Sequence, residues 1–251
     1  MKTLIAKLKD SVLHLTLNRP ERGNSFDRNL VVELSDAFRS VNELKNVRAV
    51  VLCGQGRHFC SGADLAWMAS TGAMKPEDNL TEAYLLVELY EAILTSEVPV
   101  IVRAHGKVRG GGVGLTAAAD IAICDEATTF ALPEAQLGLA PGVQTPVLIR
   151  RIGHSRFIHH SVSCDVFGAQ KALAEGLVHF VGTEAGLDQH LENLLSNILR
   201  SDRDAIRGIK TSGRFFVPIE KQELIEMAHQ AAERRATPFV QERLAHFLKK
   251  S

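Results

Sequence analysis

The sequence predicts an α/β fold with a helical C-terminal region. Short apolar, β-branched runs alternate with segments of helical periodicity, an order typical of strands joined by helical crossovers. Strand patterns vanish after about residue 184, where residues 185–199, 222–235 and 238–250 all have helical periodicity. The chain has 251 residues, of which 45% are hydrophobic, and this is enough for one sizeable core.

Local patterns predict the individual elements. Residues 11–18 alternate apolar and polar side chains before Pro20, which indicates a strand. A helix is expected from residue 28, because apolar side chains at helical spacing follow two candidate N-caps, Ser25 and Asp27. The later segments are, in order, a buried strand at 47–54, a helix at 79–96, a strand at 98–106, a short helix after the glycines at 110–114, and two short strands within 120–134.

Composition limits the function classes. Lys plus Arg equals Asp plus Glu, 29 each, so no bulk charge favours nucleic acid as a partner. No apolar run reaches the roughly 18 residues that a membrane span needs, and charges interrupt the N-terminal segment, so neither a membrane span nor a signal peptide is expected. The four cysteines form no CxxC pair and indicate free thiols in a reducing cytoplasm. The histidines show no metal-ligand spacing, so no metal is expected.

A run of glycines at Gly110–Gly112, with a further one at Gly114, leads into an alanine-rich segment. It does not fit the dinucleotide pattern G-x-G-x-x-G, because the third glycine would fall on Leu115 or Ala117, and no G-K-[ST] occurs. Two interpretations stay open. The glycines allow either tight packing or a close approach of backbone N–H groups to an oxygen-rich ligand.

Two other segments favour a catalytic site. Residues 61–64 form a small, turn-like segment after a buried strand, so two such turns could each offer one N–H to a single carbonyl oxygen, as in an oxyanion hole. Glu134 lies in the apolar segment 131–142, where desolvation would raise its pKa and suit it to proton transfer. The other interpretation of Glu134 is an ordinary exposed loop carboxylate.

The segments NRPERGNSF, GRHFCSGADLAWM, HGKVRGGGVGL, ADIAICDEATTFALPEAQLGLAPG and RRIG occur in this order over essentially the whole chain. This ordered set resembles the crotonase (enoyl-CoA hydratase/isomerase) superfamily. The resemblance implies a core of ββα spiral turns at 1–183, a helical C-terminal region at 184–251 that forms trimers or hexamers, and an acyl-CoA thioester as substrate. It implies no separate cofactor, because CoA is part of the substrate.

The resemblance also implies roles for particular residues. The N–H groups of Ala63 and Gly111 would hold the thioester oxygen, and Glu134 would be the acid/base. The expected substrate and CoA contacts are Arg22 near the nucleotide, Ser61, Asp64 and Leu65 along the CoA and acyl path, and Arg109, Gly110 and Gly114 around the glycine run.

Gly114 departs from the family pattern, because hydratases similar to the type enzyme carry a Glu at this place. Addition of water calls for one group that activates water and one that protonates carbon, although a single Glu could do both in sequence. Migration of a double bond needs only one base. The missing carboxylate therefore fits isomerisation on mechanism.

The local sequence favours hydration or dehydration instead. GADLAWM, NLTEA, GGGVGL and LGLAPG resemble the branch that hydrates 3-methylglutaconyl-CoA and related branched glutaconyl-CoAs. HGKVRGGGVGL and LIRRIG resemble polyketide dehydratases that act on acyl carrier proteins. Their substrates carry a second carboxylate, which Arg109 is expected to bind; a salt bridge or a subunit contact is the other interpretation of Arg109. Isomerisation, decarboxylation, thioester hydrolysis and an inactive binding protein remain as alternatives.

Overall fold

A large sheet of six strands organises the fold in the computed structural model, which describes residues 3–249. Its strand order is β1-β2-β3-β4-β6-β9, with β1 antiparallel to β2 and the other neighbours parallel. A smaller sheet has the order β5-β7-β8. The strands are β1 Leu4–Lys9, β2 Val12–Leu17, β3 Ala49–Gly54, β4 Val100–Ala104, β5 Lys107–Arg109, β6 Ile121–Asp125, β7 Thr129–Ala131, β8 Phe167–Gly168 and β9 Phe180–Gly182.

Helices cover both faces of the large sheet. They are α1 Arg28–Val41, α2 Leu65–Gly72, α3 Pro76–Leu94, α4 Gly111–Ala118, α5 Thr145–Ile152, α6 His154–Ser163, α7 Ala169–Ala174, α8 Glu184–Arg200, α9 Arg203–Phe216, α10 Lys221–Arg235 and α11 Pro238–Leu248. The predicted α/β class with a helical C-terminal region is therefore confirmed.

Strand β3 shows why its sequence has no polar alternation. Val50 and Leu52 face the main core, whereas Val51 packs on the other face with Ile101 and with Ile198 of α8. A parallel strand that is covered on both faces is apolar throughout. The sequence analysis did not predict strand β1. This strand lies at the sheet edge and leaves most of its side chains exposed, so charged residues interrupt its apolar ones.

Asp27 is the N-cap of α1, as one of the two sequence alternatives predicts. Its carboxylate accepts a hydrogen bond from the amide of Leu30 at 2.8 Å. The helix then buries Leu30, Leu34 and Phe38 completely. This face fixes α1 against α3.

The C-terminal helices have different neighbours within the same chain. Helix α8 packs on the large sheet, while α10 lies along α3 and α11 lies against α2. Helix α9 was not predicted and buries no side chain fully. No helix within residues 3–249 combines the length and the apolar composition that crossing a membrane requires.

Candidate active site

Three extended segments run parallel at the base of the site. Cys60 pairs with Val108 as an isolated parallel bridge, and Val108 pairs in parallel with Phe130. Because parallel segments end at the same edge, the residues that follow them are brought together. Ala63, Gly111 and Glu134 all lie three or four residues beyond this ladder.

A cavity of about 200 Å³ opens at that edge. Most of its lining is apolar. The lining comprises Phe26, Ser61, Gly62, Ala63, Leu65, Trp67, Met68, Ala83, Leu86, Tyr90, Gly110, Gly111, Pro133, Glu134, Leu137, Leu139, Ala140, Pro141, Gly142, Val143, Gln144, Ala231 and Arg235.

Two backbone amides in the lining have no acceptor within residues 3–249. Phe26 donates its amide to Gly62 O and accepts from the amide of Asp64, both at 2.7 Å, which leaves the N–H of Ala63 unused. Gly111 is the first residue of α4, where a helix has no internal partner for the N–H. Such fixed amides can stabilise an oxyanion.

Gly110 is needed for this arrangement. Its φ of +47° lies in the left-handed region, and a Cβ there would come within 3.0 Å of Glu134 Oε1. A side chain at this position would therefore strain the backbone and push the carboxylate away. The glycine run thus allows Glu134 to lie directly beside the turn that carries the Gly111 amide.

Glu134 begins a 3₁₀ helix at Glu134–Leu137, rather than the loop that the sequence suggests. Although the residue as a whole is partly exposed, its Oε2 is buried and has no hydrogen-bond partner in the described chain. Burial raises the pKa of Glu134 to about 7, against smaller opposing effects of its own backbone amide and of Gln144. Gln144 donates Nε2–H to Glu134 Oε1 at 2.7 Å. A carboxyl that titrates near neutrality can both take and give a proton.

The other expected site residues divide into two groups. Ser61, Leu65 and Gly110 line the cavity with Ala63 and Gly111. Asp64 instead caps α2 through the amides of Ala66 and Trp67 and pairs with Arg19 at 3.1 Å. Burial opposes ionisation of Asp64, but Arg19 and the two amides outweigh it and lower its pKa. Arg22 is exposed on the 3₁₀ helix Pro20–Arg22, outside the lining.

Arg109 does not point into the cavity. Its Nη1 donates to Thr129 O at 2.6 Å, and its Nη2 donates to Thr129 Oγ1 at 3.0 Å. The expected pairing of Arg109 with a substrate carboxylate is not supported, because the side chain reaches across the small sheet from β5 to β7. Arg109 forms no salt bridge within the described residues, and the interpretation of Arg109 as a subunit contact stays a prediction.

Gly114 lies under the cavity rather than in its lining. A Cβ at this position would come within 2.0 Å of Tyr90 Oη and 2.2 Å of Gln144 Oε1. Larger side chains are excluded by these two groups. The place of the missing carboxylate is thus occupied by a phenol and an amide.

Sequence reasoning missed Tyr90, Gln144 and Arg235. Tyr90 follows the helical pattern of α3 and resembles a core residue, and Gln144 follows the 131–142 segment without any motif of its own. Arg235 comes from α10, about 100 residues further along the chain. Only the fold brings them to the lining.

Arg235 is a buried cation in the cavity wall. Its Nε and Nη2 donate to Asn79 Oδ1, and Nη1 donates to no acceptor in the part of the chain that the structure describes. Burial lowers its pKa to about 10, although the charge of Glu82 opposes this. Arg235 therefore stays charged at neutral pH, with no carboxylate of residues 3–249 within 4 Å.

The described residues contain no group of three or more His, Cys, Asp or Glu side chains that could hold a metal ion.

Comparison with known proteins places these features in context. The family model described as "Enoyl-CoA hydratase/isomerase" matches residues 7–247. Crotonyl-CoA hydratase of Syntrophomonas wolfei is 28% identical, over 99% of each chain. The mouse mitochondrial Delta(3,5)-Delta(2,4)-dienoyl-CoA isomerase is 35% identical, over 69% of this chain and 56% of the longer relative. The bacillaene synthase dehydratase PksH of Bacillus subtilis is 28% identical, over 94% of this chain and 85% of that protein.

Solved structures agree on the fold. An enoyl-CoA hydratase from Bacillus halodurans superposes with a TM-score of 0.91 at 21% identity, and the alignment covers 97% of this chain and 99% of that one. A structure from Legionella pneumophila, described as an enoyl CoA hydratase/isomerase (crotonase), has a TM-score of 0.80 at 32% identity and covers 100% and 98%.

We expect the buried carboxyl of Glu134 to make stability depend on pH. A carboxyl whose pKa is raised from 4.5 to about 7 in the folded state favours the protonated form, so its stabilising contribution is lost as pH rises from 4.5 to 7. Glu134→Gln has no charge to bury. Its free energy of unfolding relative to wild type should therefore increase by about 2 kcal/mol between pH 5 and pH 8.

Urea unfolding of both proteins at the two pH values measures this difference. Glu126→Gln is the matched control, because Glu126 is exposed and lies outside the lining. A difference for Glu134→Gln that is the same at pH 5 and pH 8 would contradict the burial of the charge.

Proposed function

The chain belongs to the enoyl-CoA hydratase/isomerase family, and we propose that it is a hydratase that adds water to an α,β-unsaturated acyl-CoA thioester or removes it in reverse. One observation carries the proposal. Two unused amides and a buried carboxyl with a pKa of about 7 face the same cavity. The amides of Ala63 and Gly111 would bind the thioester oxygen, and their hydrogen bonds would strengthen as this oxygen becomes an enolate.

Glu134 would act as base and then as acid. As a carboxylate it takes a proton from water while the water oxygen bonds to the β-carbon and the π electrons move to the thioester oxygen. As a carboxylic acid it then delivers a proton to the α-carbon, and the carbonyl reforms. No cofactor besides the CoA of the substrate takes part in this proposal.

Isomerisation is the second candidate, on a specific observation. Glu134 is the one carboxylate that the described residues contribute to the lining, and a shift of a double bond needs one base that carries a proton between two carbons. For either reaction, the alternative substrate is the same acyl thioester carried by acyl carrier protein instead of CoA.

A screen of thioesters decides between these reactions. Hydration of crotonyl-CoA consumes the absorbance of the conjugated thioester, whereas isomerisation of a 3-enoyl-CoA creates it. We expect hydration of crotonyl-CoA to be faster than isomerisation of the 3-enoyl-CoA. Glu134→Gln should lower kcat for hydration by about 100-fold with little change in KM, because general acid–base catalysis contributes on this scale. Glu126→Gln should retain full turnover, and the same assay on crotonyl-acyl carrier protein compares the carriers.

Turnover of Glu134→Gln at the wild-type rate would show that Glu134 is not the acid/base of the reaction. Activity of the wild type on the 3-enoyl-CoA alone would establish the isomerase instead.

The substrate class that we propose is an enoyl-CoA with a distal carboxylate, such as 3-methylglutaconyl-CoA. Arg235 supports it, in place of Arg109. A guanidinium in an apolar wall with one unused N–H edge is suited to a carboxylate, and burial of a cation without a partner is unfavourable. A neutral acyl chain would leave the Nη1 edge of Arg235 without an acceptor.

We expect Arg235→Gln to lower kcat/KM for 3-methylglutaconyl-CoA by about 10- to 100-fold more than for crotonyl-CoA, since charge-assisted hydrogen bonds contribute about 1.5–3 kcal/mol. Steady-state kinetics with the two substrates measure this ratio. Asn79→Ala is the matched control, because it removes the hydrogen bonds of Arg235 to the Asn79 side chain but keeps the cation. Equal losses on both substrates in Arg235→Gln would show that Arg235 only supports the fold.

We also propose a homotrimer, or a hexamer of two trimers, assembled through the C-terminal region. Large apolar side chains at the end of α9 support this: Phe215, Phe216 and Val217 are 78%, 79% and 59% exposed within one chain. Exposed apolar patches of this kind mark protein interfaces.

Light scattering at micromolar concentration should report three or six chains, and Phe216→Asp should shift the mass toward the monomer because it places a charge in the apolar contact. Leu8→Asp is the control, since Leu8 is an exposed apolar residue on β1. A monomeric wild type would refute the assembly.

A further inference from the structure

Three buried side-chain oxygens of cavity-lining residues have no hydrogen-bond partner in the described chain, and two of them lie beside Gly114. They are Tyr90 Oη, Gln144 Oε1 and Glu134 Oε2, and all three side chains line the cavity. Tyr90 and Gln144 are only 2% and 3% exposed. Buried polar atoms are nearly always bonded, because an unpaired one keeps the full cost of losing its water. Three such atoms in one wall indicate a shared polar ligand.

The positions of two of these oxygens limit the size of that ligand. A Cβ on Gly114 would lie 2.0 Å from Tyr90 Oη and 2.2 Å from Gln144 Oε1, so the two oxygens are at most about 4.2 Å apart. They form no direct hydrogen bond to each other. One small molecule that contacts both fits this spacing, since hydrogen bonds between oxygens are about 2.7–2.8 Å long.

Donors and acceptors identify the small molecule. Burial, with smaller contributions from Cys60 and Glu134, raises the pKa of Tyr90, so its phenol keeps its proton and is a donor. Gln144 Oε1 is an acceptor only, and its Nε2–H is already used on Glu134 Oε1 at 2.7 Å. The ionised Glu134 Oε2 is a second acceptor. A molecule that accepts one hydrogen bond and donates two matches this set.

We propose that Tyr90 Oη, Gln144 Oε1 and Glu134 Oε2 bind the water molecule that adds to the β-carbon. This inference rests on the proposed hydratase function. The water accepts the Tyr90 hydrogen, donates one hydrogen to Gln144 and the other to Glu134, and keeps one lone pair for the β-carbon. When the C–O bond forms, the proton goes to Glu134, the π electrons go to the thioester oxygen, and Glu134 then returns a proton to the α-carbon.

Gly114 makes this water site possible. Any side chain there would displace Tyr90 Oη and Gln144 Oε1, so a second carboxylate and the Tyr90–Gln144 pair exclude each other. The chain thus orients water with two neutral groups where a second carboxylate stands in the hydratases that the sequence resembles. Tyr90 is a catalytic residue in this scheme, because it touches the reacting water.

Tyr90→Phe tests the site, because it removes only the phenol oxygen and keeps the buried ring. The first measurement is kcat for hydration of crotonyl-CoA. The second is exchange of the α-hydrogens of butyryl-CoA with deuterium from D₂O, which uses Glu134 and the two amides but no attacking water. We expect hydration to fall about 10-fold more than exchange, the effect of about one lost hydrogen bond.

Tyr84→Phe is the matched control. Tyr84 is on the same helix, but its hydroxyl bonds to His229 Nε2 at 2.9 Å and lies outside the lining. Equal losses of hydration and exchange in Tyr90→Phe, or no loss of hydration, would overturn the inference while the hydratase function stands. A wild type that exchanges but hydrates no enoyl thioester would overturn the proposed function, and the water site with it.

A high-resolution crystal structure provides an independent check. A water within hydrogen-bond distance of all three oxygens in the wild type, and its loss in Tyr90→Phe, is the expected result. A water bound in the same place in Tyr90→Phe would count against a role of the phenol.

Discussion

The parallel ladder Cys60–Val108–Phe130 is the constraint on which the candidate site depends. Each pair of residues in the ladder fixes the position of the next few residues of its segment. The two unused amides and Glu134 therefore need no direct contacts between them to lie close together. Backbone pairing is insensitive to side-chain identity. The residue types beyond the ladder can therefore serve the reaction instead of the fold, and the glycines at Gly110–Gly112 are an example.

Burial of a single carboxyl gives the cavity its chemical character. Burial in an apolar wall raises the pKa of Glu134 to about 7, and the opposing effects of its own backbone amide and of Gln144 are smaller. A second carboxylate close by would raise that pKa further, since like charges disfavour ionisation. The neutral Tyr90 and Gln144 side chains avoid this, so burial remains the largest influence on the pKa of Glu134.

Sequence reasoning found the parts of the site that are local in the chain. The two turns and Glu134 each have a signature within a dozen residues, and most predicted elements are present in the structure. Arg109 shows the limit: it adjoins the glycine run in sequence, yet its side chain crosses to Thr129, because neighbours in an extended strand point in different directions. Tyr90, Gln144 and Arg235 come from α3, the residues before α5, and α10, and no local pattern marks such a meeting.

The path of α10 has a consequence for biosynthesis. Ala231 and Arg235 complete the cavity wall, although the ladder at its base is finished by residue 131. During translation the residues of this ladder are made about 100 residues before Ala231 and Arg235. The cavity wall is thus completed only after α10 has been made, and a chain that stalls before α10 lacks the Arg235 cation of that wall.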